Sequence, residues 1–346
     1  MAAANAGAAR NATMQIGGIS VTINQAASSG CVTSLNPGGQ AFAAAGGSGT
    51  ISITAGPGCT WTSGSAVPWV TISGTNGGTG NGTAIYIVGA NTGLARAGAI
   101  NIAGLTFTVE QAGASISGFT NAGSIAHLAA AGGWTTNFTF VNSSPSATPV
   151  RINFFDDNGN PLTLSVDFPQ TGVSGLLASS IDRVVNPGAV LELVATGPNS
   201  QSVQTGWAQV LSNGAIDGFA AFRLTTATID NQALAPLEKR NTSAYLLAFD
   251  NTAGFVAGVA LANTSSQSGS IGISIRDDAG TPVFSSTIAM GAMAHTSFVL
   301  PTNYIFAAGK RGTIEFDPPA GMQLSTLGIQ FNTVTNGFST IPALTR

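Results

Sequence analysis

Charge is what this chain has least of. Asp, Glu, Lys and Arg make up 7% of its 346 residues, against about 25% in an ordinary globular domain. The 11 Lys and Arg are scattered singly and the net charge is −3, which leaves no basic stripe to neutralise phosphates, so nucleic acid is not an expected partner. Long apolar runs are missing too. None approaches the ~18 to 20 residues that cross a bilayer, and residues Met1 to Arg10 lack the charged-then-apolar order of a secretory leader. No membrane insertion is expected, and a leader, if the protein is exported, is expected upstream.

Reactive residues are equally scarce, with two His and two Cys. Cys31 and Cys59 sit in no C-x-x-C motif and no Cys/His cluster, which argues against zinc or redox chemistry. In an oxidising compartment they would form one disulfide; two buried thiols are the alternative. No G-x-S-x-G or H-E-x-x-H motif occurs, the acidic residues are spread singly apart from two turns, and His127 and His295 are not equivalent positions in the repeats described below. A hydrolase needs a nucleophile beside a base, or two carboxylates brought together. The chain is therefore read as non-catalytic, without metal or other cofactor, and an unrecognised hydrolase ranks third among its functions.

What is present is a neutral, hydroxyl-rich β composition. Hydrophobic residues stand at 44% and Gly at 45 residues, too apolar for a disordered chain. Two internal repeats organise it. Residues Asn5 to Ala27 align without a gap on Asn91 to Gly113, pairing Arg10 with Arg96 and Gln25 with Gln111. Farther on, Phe138 to Pro161 maps onto Val259 to Pro282, so that FVNSS meets LANTS and FDDNGNP meets RDDAGTP; Gly206 and Trp207 then fall opposite Gly312 and Thr313, and Phe222 opposite Phe331. The expected organisation is the end of a truncated module at 1–27, a complete module at 28–114, and two related modules at 115–235 and 236–346.

Each module reads as short strands. TISIT (Thr50 to Thr54) and LTFTV (Leu105 to Val109) alternate apolar and hydroxyl residues, and AIYIV (Ala84 to Val88) is a β-branched and aromatic run of the same length; all lie between Gly, Asn and Pro, the pattern of half-buried strands. Ala103-Gly104 between two such runs predicts a tight hairpin. No long window carries a helical period. The fold expected is all-β, as tandem immunoglobulin-like β-sandwich domains.

One stretch resembles a known family. Gly30-Cys31, Gly46-Gly47-Ser48-Gly49, Gly58-Cys59-Thr60-Trp61-Thr62, Pro68-Trp69-Val70-Thr71-Ile72, Asn91-Thr92-Gly93, Arg96-Ala97-Gly98 and Phe107-Thr108-Val109-Glu110-Gln111 follow one another in the order of the BACON domain. That resemblance implies an immunoglobulin-like sandwich of bacterial extracellular proteins, a module for binding carbohydrate or spacing other domains. The C-terminal pair is similar to uncharacterised tandem sandwich regions of secreted bacterial proteins.

The leading expectation is thus an extracellular or cell-surface binding module with carbohydrate or a surface glycan as partner. Its candidate ligand residues are Trp61, Trp69 and Tyr86, since sugar rings stack on flat aromatic faces; core packing is the competing role for each. The runner-up is a structural or adhesive stalk that self-associates through strand edges. Asp156, Asp157, Asp277 and Asp278 are weak calcium candidates, but each pair lacks a third acidic ligand, and Asp followed by Gly suits a turn. Thr75 to Thr83, rich in Gly, reads as a flexible loop. Pro236 to Arg240, the one charge cluster, reads as a linker or salt-bridged seam, with a partner-docking patch as the alternative.

Overall fold

Strand Gly47–Ala55 shows the rule that builds the chain: Ile51, Ile53 and Ala55 turn inward while Thr50, Ser52 and Thr54 face water. A period of two puts every second side chain on one face, so each such strand carries one apolar face to bury. A computed structural model of the protein describes residues 10–16, 19–25, 31–92, 95–113, 118–226, 230–240 and 242–346. Among these the fold is all-β, with one helical turn at Leu300–Asn303 and a 3-10 turn at Ile305–Ala307.

The chain divides into two units, one holding residues 1–116 with 174–177 and the other holding 117–173 with 178–346. In the first, strands Val32–Asn36, Gly47–Ala55, Gly82–Val88 and Val70–Ser73 form one sheet. Strands Gly39–Phe42, Leu105–Gln111, Arg96–Ile102, Thr60–Ser65 and Gly77–Thr79 run side by side in another. Between them lies a core that includes Ile51, Trp61, Tyr86, Ile100 and Phe107. The expected hairpin turns at Ala103 and Gly104, both at positive φ (48° and 90°), as the turn that matches strand twist requires. An earlier hairpin, Arg10–Ile16 with Ile19–Gln25, repeats its register: Arg10 faces Gln25 as Arg96 faces Gln111. Gly18, aligned with Gly104 in sequence, lies outside the described residues.

The second unit holds two sandwiches of matching layout. In the first of them the order Thr120–Ala130, Gln204–Ser212, Thr148–Phe155, Ser180–Val185 makes one sheet; Asp230–Pro236, Ile216–Thr225, Trp134–Asn142, Val190–Thr196 and Leu164–Phe168 make the other. The second sandwich repeats this with Tyr245–Asp250, Arg311–Asp317, Gly269–Asp277, Pro282–Met290, and with Gly337–Ile341, Leu324–Asn332, Phe255–Asn263, His295–Val299. Equivalent residues do equivalent work. Asn142, wholly buried, donates to the carbonyls of Ser146 and Val185 and accepts from Ser144 N–H. Asn263, also wholly buried, does the same for Gln267, Gly291 and Ser265.

Three strands carry long runs buried on both faces. From Gly123 to Ala130, from Ala257 to Asn263 and from Leu324 to Ile329, every residue is buried. A strand buried on both sides has a sheet packed on each, and here Thr120–Ala130 of the first sandwich lies against Phe255–Asn263 and Leu324–Asn332 of the second. Small residues (Ala126 facing out of one sandwich, Gly258 and Ala260 out of the other) let the backbones approach. The two sandwiches therefore share one seam.

Candidate functional site

The aromatic trio expected to meet a ligand is not assembled as a face. Trp61 is 5% exposed and Tyr86 0%; the indole N–H donates to Gly80 O at 2.9 Å and the phenol O–H to Gln40 Oε1 at 2.7 Å. Both are core residues, which corrects their assignment as ligand contacts. The same packing corrects the reading of Thr75 to Thr83 as a mere flexible loop. A Cβ built at Gly78 or Gly82 would stand 2.7 or 2.4 Å from Trp61 Cζ2, so these glycines are the surface on which the indole rests. Trp69 is half-buried, and the Arg96 guanidinium lies 4.4 Å from its ring centroid. Cys31 and Cys59 are joined as a disulfide.

The carboxylate pairs split by position. Asp156 Oδ1 accepts from the backbone N–H of Asn158 and Asn160, and Asp277 Oδ1 from those of Ala279 and Thr281, so both close turns of the same kind. Asp278 is exposed. No group of three or more His, Cys, Asp and Glu side chains suited to a metal occurs among the described residues. The charge cluster at 236–240 is turned to structure: Glu238 exchanges backbone hydrogen bonds with Ser124 and pairs with Arg240, while Lys239 reaches Asp217 at 2.6 Å.

Asp157 does something its repeat partner does not. Its Oδ1 lies 2.7 Å from His295 Nδ1, and His295 Nε2 lies 3.1 Å from His127 Nδ1. Two histidines that are unrelated under the repeat offsets thus meet, because repeat alignment compares like positions, whereas contact across a seam joins unlike ones. His127 sits on the seam strand of the first sandwich and His295 opens an edge strand of the second. The turn carrying Asp157 is held there from both sides. His295 N–H donates to Asp157 O at 3.2 Å, Thr205 Oγ1 donates to the carboxylate at 3.1 Å, and Trp207 Nε1 donates to Met293 O at 2.7 Å. Gly159 in this turn has no room for a side chain, since a Cβ would come 2.4 Å from Ala292 O.

The relay runs from water inward. The Asp157 side chain is 54% exposed, that of His295 0%, and the whole of His127 is 8% exposed. Burial drives the His127 pKa down to about 3, helped by the neighbouring His295 and opposed by Asp157, so this imidazole is neutral at ordinary pH. Burial alone would raise Asp157, but the hydrogen bond and charge of His295, with Thr205, hold it below the usual carboxylate range.

His127 also borders a cleft of about 220 Å³ in the seam. Its walls include the rings of Trp134, Phe222, Phe298 and Phe331, with Gly258, the exposed Ser297 and aliphatic side chains among the rest of the lining. Phe222 meets the His127 ring edge-on, with centroids 5.5 Å apart, and Phe338 braces Trp134 from behind at 5.7 Å. Trp134 stays half-buried. Reasoning from sequence passed over this site, although a signal was there. IAHLAAA (Ile125 to Ala131) and AGVALA (Ala257 to Ala262) lack the apolar–polar alternation of strands such as TISIT and LTFTV, and their small apolar residues fit strands covered on both faces.

No family model matches the chain, and no curated protein does. Among solved structures it is similar to a Bacteroides ovatus GH5 xyloglucanase in complex with a XXXG heptasaccharide, 25% identical over 24% of this chain and 20% of that one, with a TM-score of 0.21. It is also similar to the Bacteroides ovatus mixed-linkage glucan utilization locus protein SGBP-B in complex with a mixed-linkage heptasaccharide (10% identity, 93% and 94% covered, TM-score 0.15). A third is Yersinia pseudotuberculosis InvD (11%, 90% and 96%, 0.14). Scores of that size assign neither family nor ligand to this chain.

Proposed function

We propose that the protein is a non-catalytic binding module that works outside the cell, and that the seam cleft between its paired sandwiches takes one ring of a carbohydrate. One observation carries this reading: a half-exposed Trp134 and three further aromatic rings converge on a single recess whose only titratable group is a neutral imidazole. Aromatic faces offer sugar C–H groups a stacking surface, and a few polar atoms fix orientation. Pockets for drug-sized ligands run from ~300 to 1,000 Å³, so about 220 Å³ suits one ring, with the remainder of a chain left in water.

Two further features support the absence of catalysis. An imidazole with a pKa of about 3 is a poor general base at neutral pH, and Ser297 makes no hydrogen bond to it among the described residues. The Cys31–Cys59 disulfide and the resemblance of residues 28–114 to BACON domains support export into an oxidising compartment.

A glycan array probed with the full chain tests the reading. Binding is expected, and Ser297→Arg, which plugs the rim from an exposed position, should remove it while leaving the thermal melt unchanged. An array without hits, or hits that survive Ser297→Arg, would overturn the assignment of the cleft.

A further inference from the structure

We propose that the seam cleft selects ligands that donate a hydrogen bond, because the relay Asp157–His295–His127 presents His127 Nε2 to the cleft as a bare lone pair. The inference rests on the cleft being a ligand site, and it adds the polarity that the ligand must match.

The argument follows protons along the chain of contacts. An ionised carboxylate accepts only, so the 2.7 Å contact with Asp157 Oδ1 places a proton on His295 Nδ1. We assign His295 that one proton, which leaves its Nε2 as an acceptor; a second proton there would reverse the bonds inward of it and make His127 Nε2 a donor. The 3.1 Å contact between that atom and His127 Nδ1 then requires the proton to sit on His127 Nδ1. His127 in turn has spent its single N–H, and its Nε2 is a lone pair. No protein group among the described residues occupies that nitrogen, and it is not one of the enclosed polar atoms lacking a partner, which are Ser63 Oγ, Ser325 Oγ and Thr326 Oγ1. The ring that bears it borders the cleft. Around it the lining is aromatic and aliphatic, with the Ser297 hydroxyl and the Trp134 indole N–H the other polar side-chain groups of the lining residues.

Second contacts hold the setting. Thr205 gives the carboxylate another donor at 3.1 Å, Phe222 packs edge-on against the His127 ring, and the two imidazoles lie nearly parallel with centroids 5.2 Å apart. Flipping the His295 ring would lose hydrogen bonds on both sides, and flipping that of His127 would lose the one to His295. A hydroxyl or N–H directed at Nε2 would complete the line, whereas an ether or carbonyl oxygen at the same place would set lone pair against lone pair. His127 is accordingly a specificity-determining residue for a hydroxylated ring, and His295 and Asp157 are positioning residues.

Two measurements on the full chain test this. Nitrogen-15 NMR of histidine-labelled protein at neutral pH reads which ring nitrogens carry protons, and needs no variant. His127 protonated on Nδ1 and bare on Nε2 is expected; a proton on Nε2 overturns the proposal. Phenol and anisole, rings of similar size with and without a donor, are then titrated while the His127 and Trp134 resonances are followed. Phenol should bind about tenfold more tightly, and His127→Phe should bring the two probes level. If both bind wild type equally, the polarity is wrong and the cleft stands. If neither perturbs the cleft, the ligand site itself is refuted.

Discussion

Acid should loosen the paired sandwiches through His127, and the size of the effect follows from its burial. In the unfolded chain this imidazole titrates near 6.5; in the folded state burial lowers it to about 3. Below the unfolded value the unfolded chain binds a proton that the folded one refuses, so stability is full above pH 6.5 and is lost as pH falls toward 3. The slope is about 1.4 kcal/mol per pH unit, and the whole loss is about 5 kcal/mol. At pH 4.5 about 3 kcal/mol should already be gone, a large part of the 5–15 kcal/mol typical of a domain. Asp157, held below its usual range, adds a smaller loss in the same direction at still lower pH, discounted because its side chain is 54% exposed. Urea unfolding is followed at several pH values by the ring C–H resonances of the two histidines, which both report on this unit. His127→Leu should be less stable at neutral pH yet nearly flat from 6.5 to 4. A wild type equally stable across that window, or a folded His127 that titrates near 6.5, would refute the reasoning.

Three other outcomes are expected. Reducing the Cys31–Cys59 bond releases a closure of 28 residues, which should lower the stability of the first unit by about 3 to 4 kcal/mol, seen as a lower melting temperature with reductant. Gly82→Ala drives a Cβ into Trp61 and should cost about 1 to 3 kcal/mol, with a changed near-ultraviolet circular dichroism band. Trp207→Phe keeps an aromatic ring beside Phe155, 4.9 Å away, but deletes the bond to Met293 O and part of a fully buried side chain. It should cost about 2 to 4 kcal/mol and speed amide exchange at residues 293–295 more than in the first unit.

The strands were legible in sequence because alternation is a local property. TISIT and LTFTV need no knowledge of their partners to show which face is apolar, whereas AIYIV, apolar throughout, does not show that Ile85 and Ile87 face outward; the repeats carried Asn142 onto Asn263 and Asp156 onto Asp277 before their common roles were visible. The site was not legible for the opposite reason. Asp157, His295 and His127 come from two modules, and their meeting depends on which face of one sandwich covers the other, which no local pattern encodes. Trp61, Trp69 and Tyr86 drew attention because aromatic residues are conspicuous, but a large ring has two uses, and glycines at 49, 78 and 82 pressed against Tyr86 and Trp61 marked the interior one. Trp134 and Phe222, which were not singled out as site residues in the sequence, line the cleft.

The strands buried on both faces have a bearing on how this chain can be dissected. Expressing either C-terminal sandwich alone would leave Ala126, or Gly258 and Ala260, as a naked sheet surface without the charges that normally keep such surfaces apart. Such halves should aggregate, or find one another when mixed, and cleavage between 236 and 240 should yield fragments that remain together until denatured. Duplication has here produced two copies that are complete only as a couple.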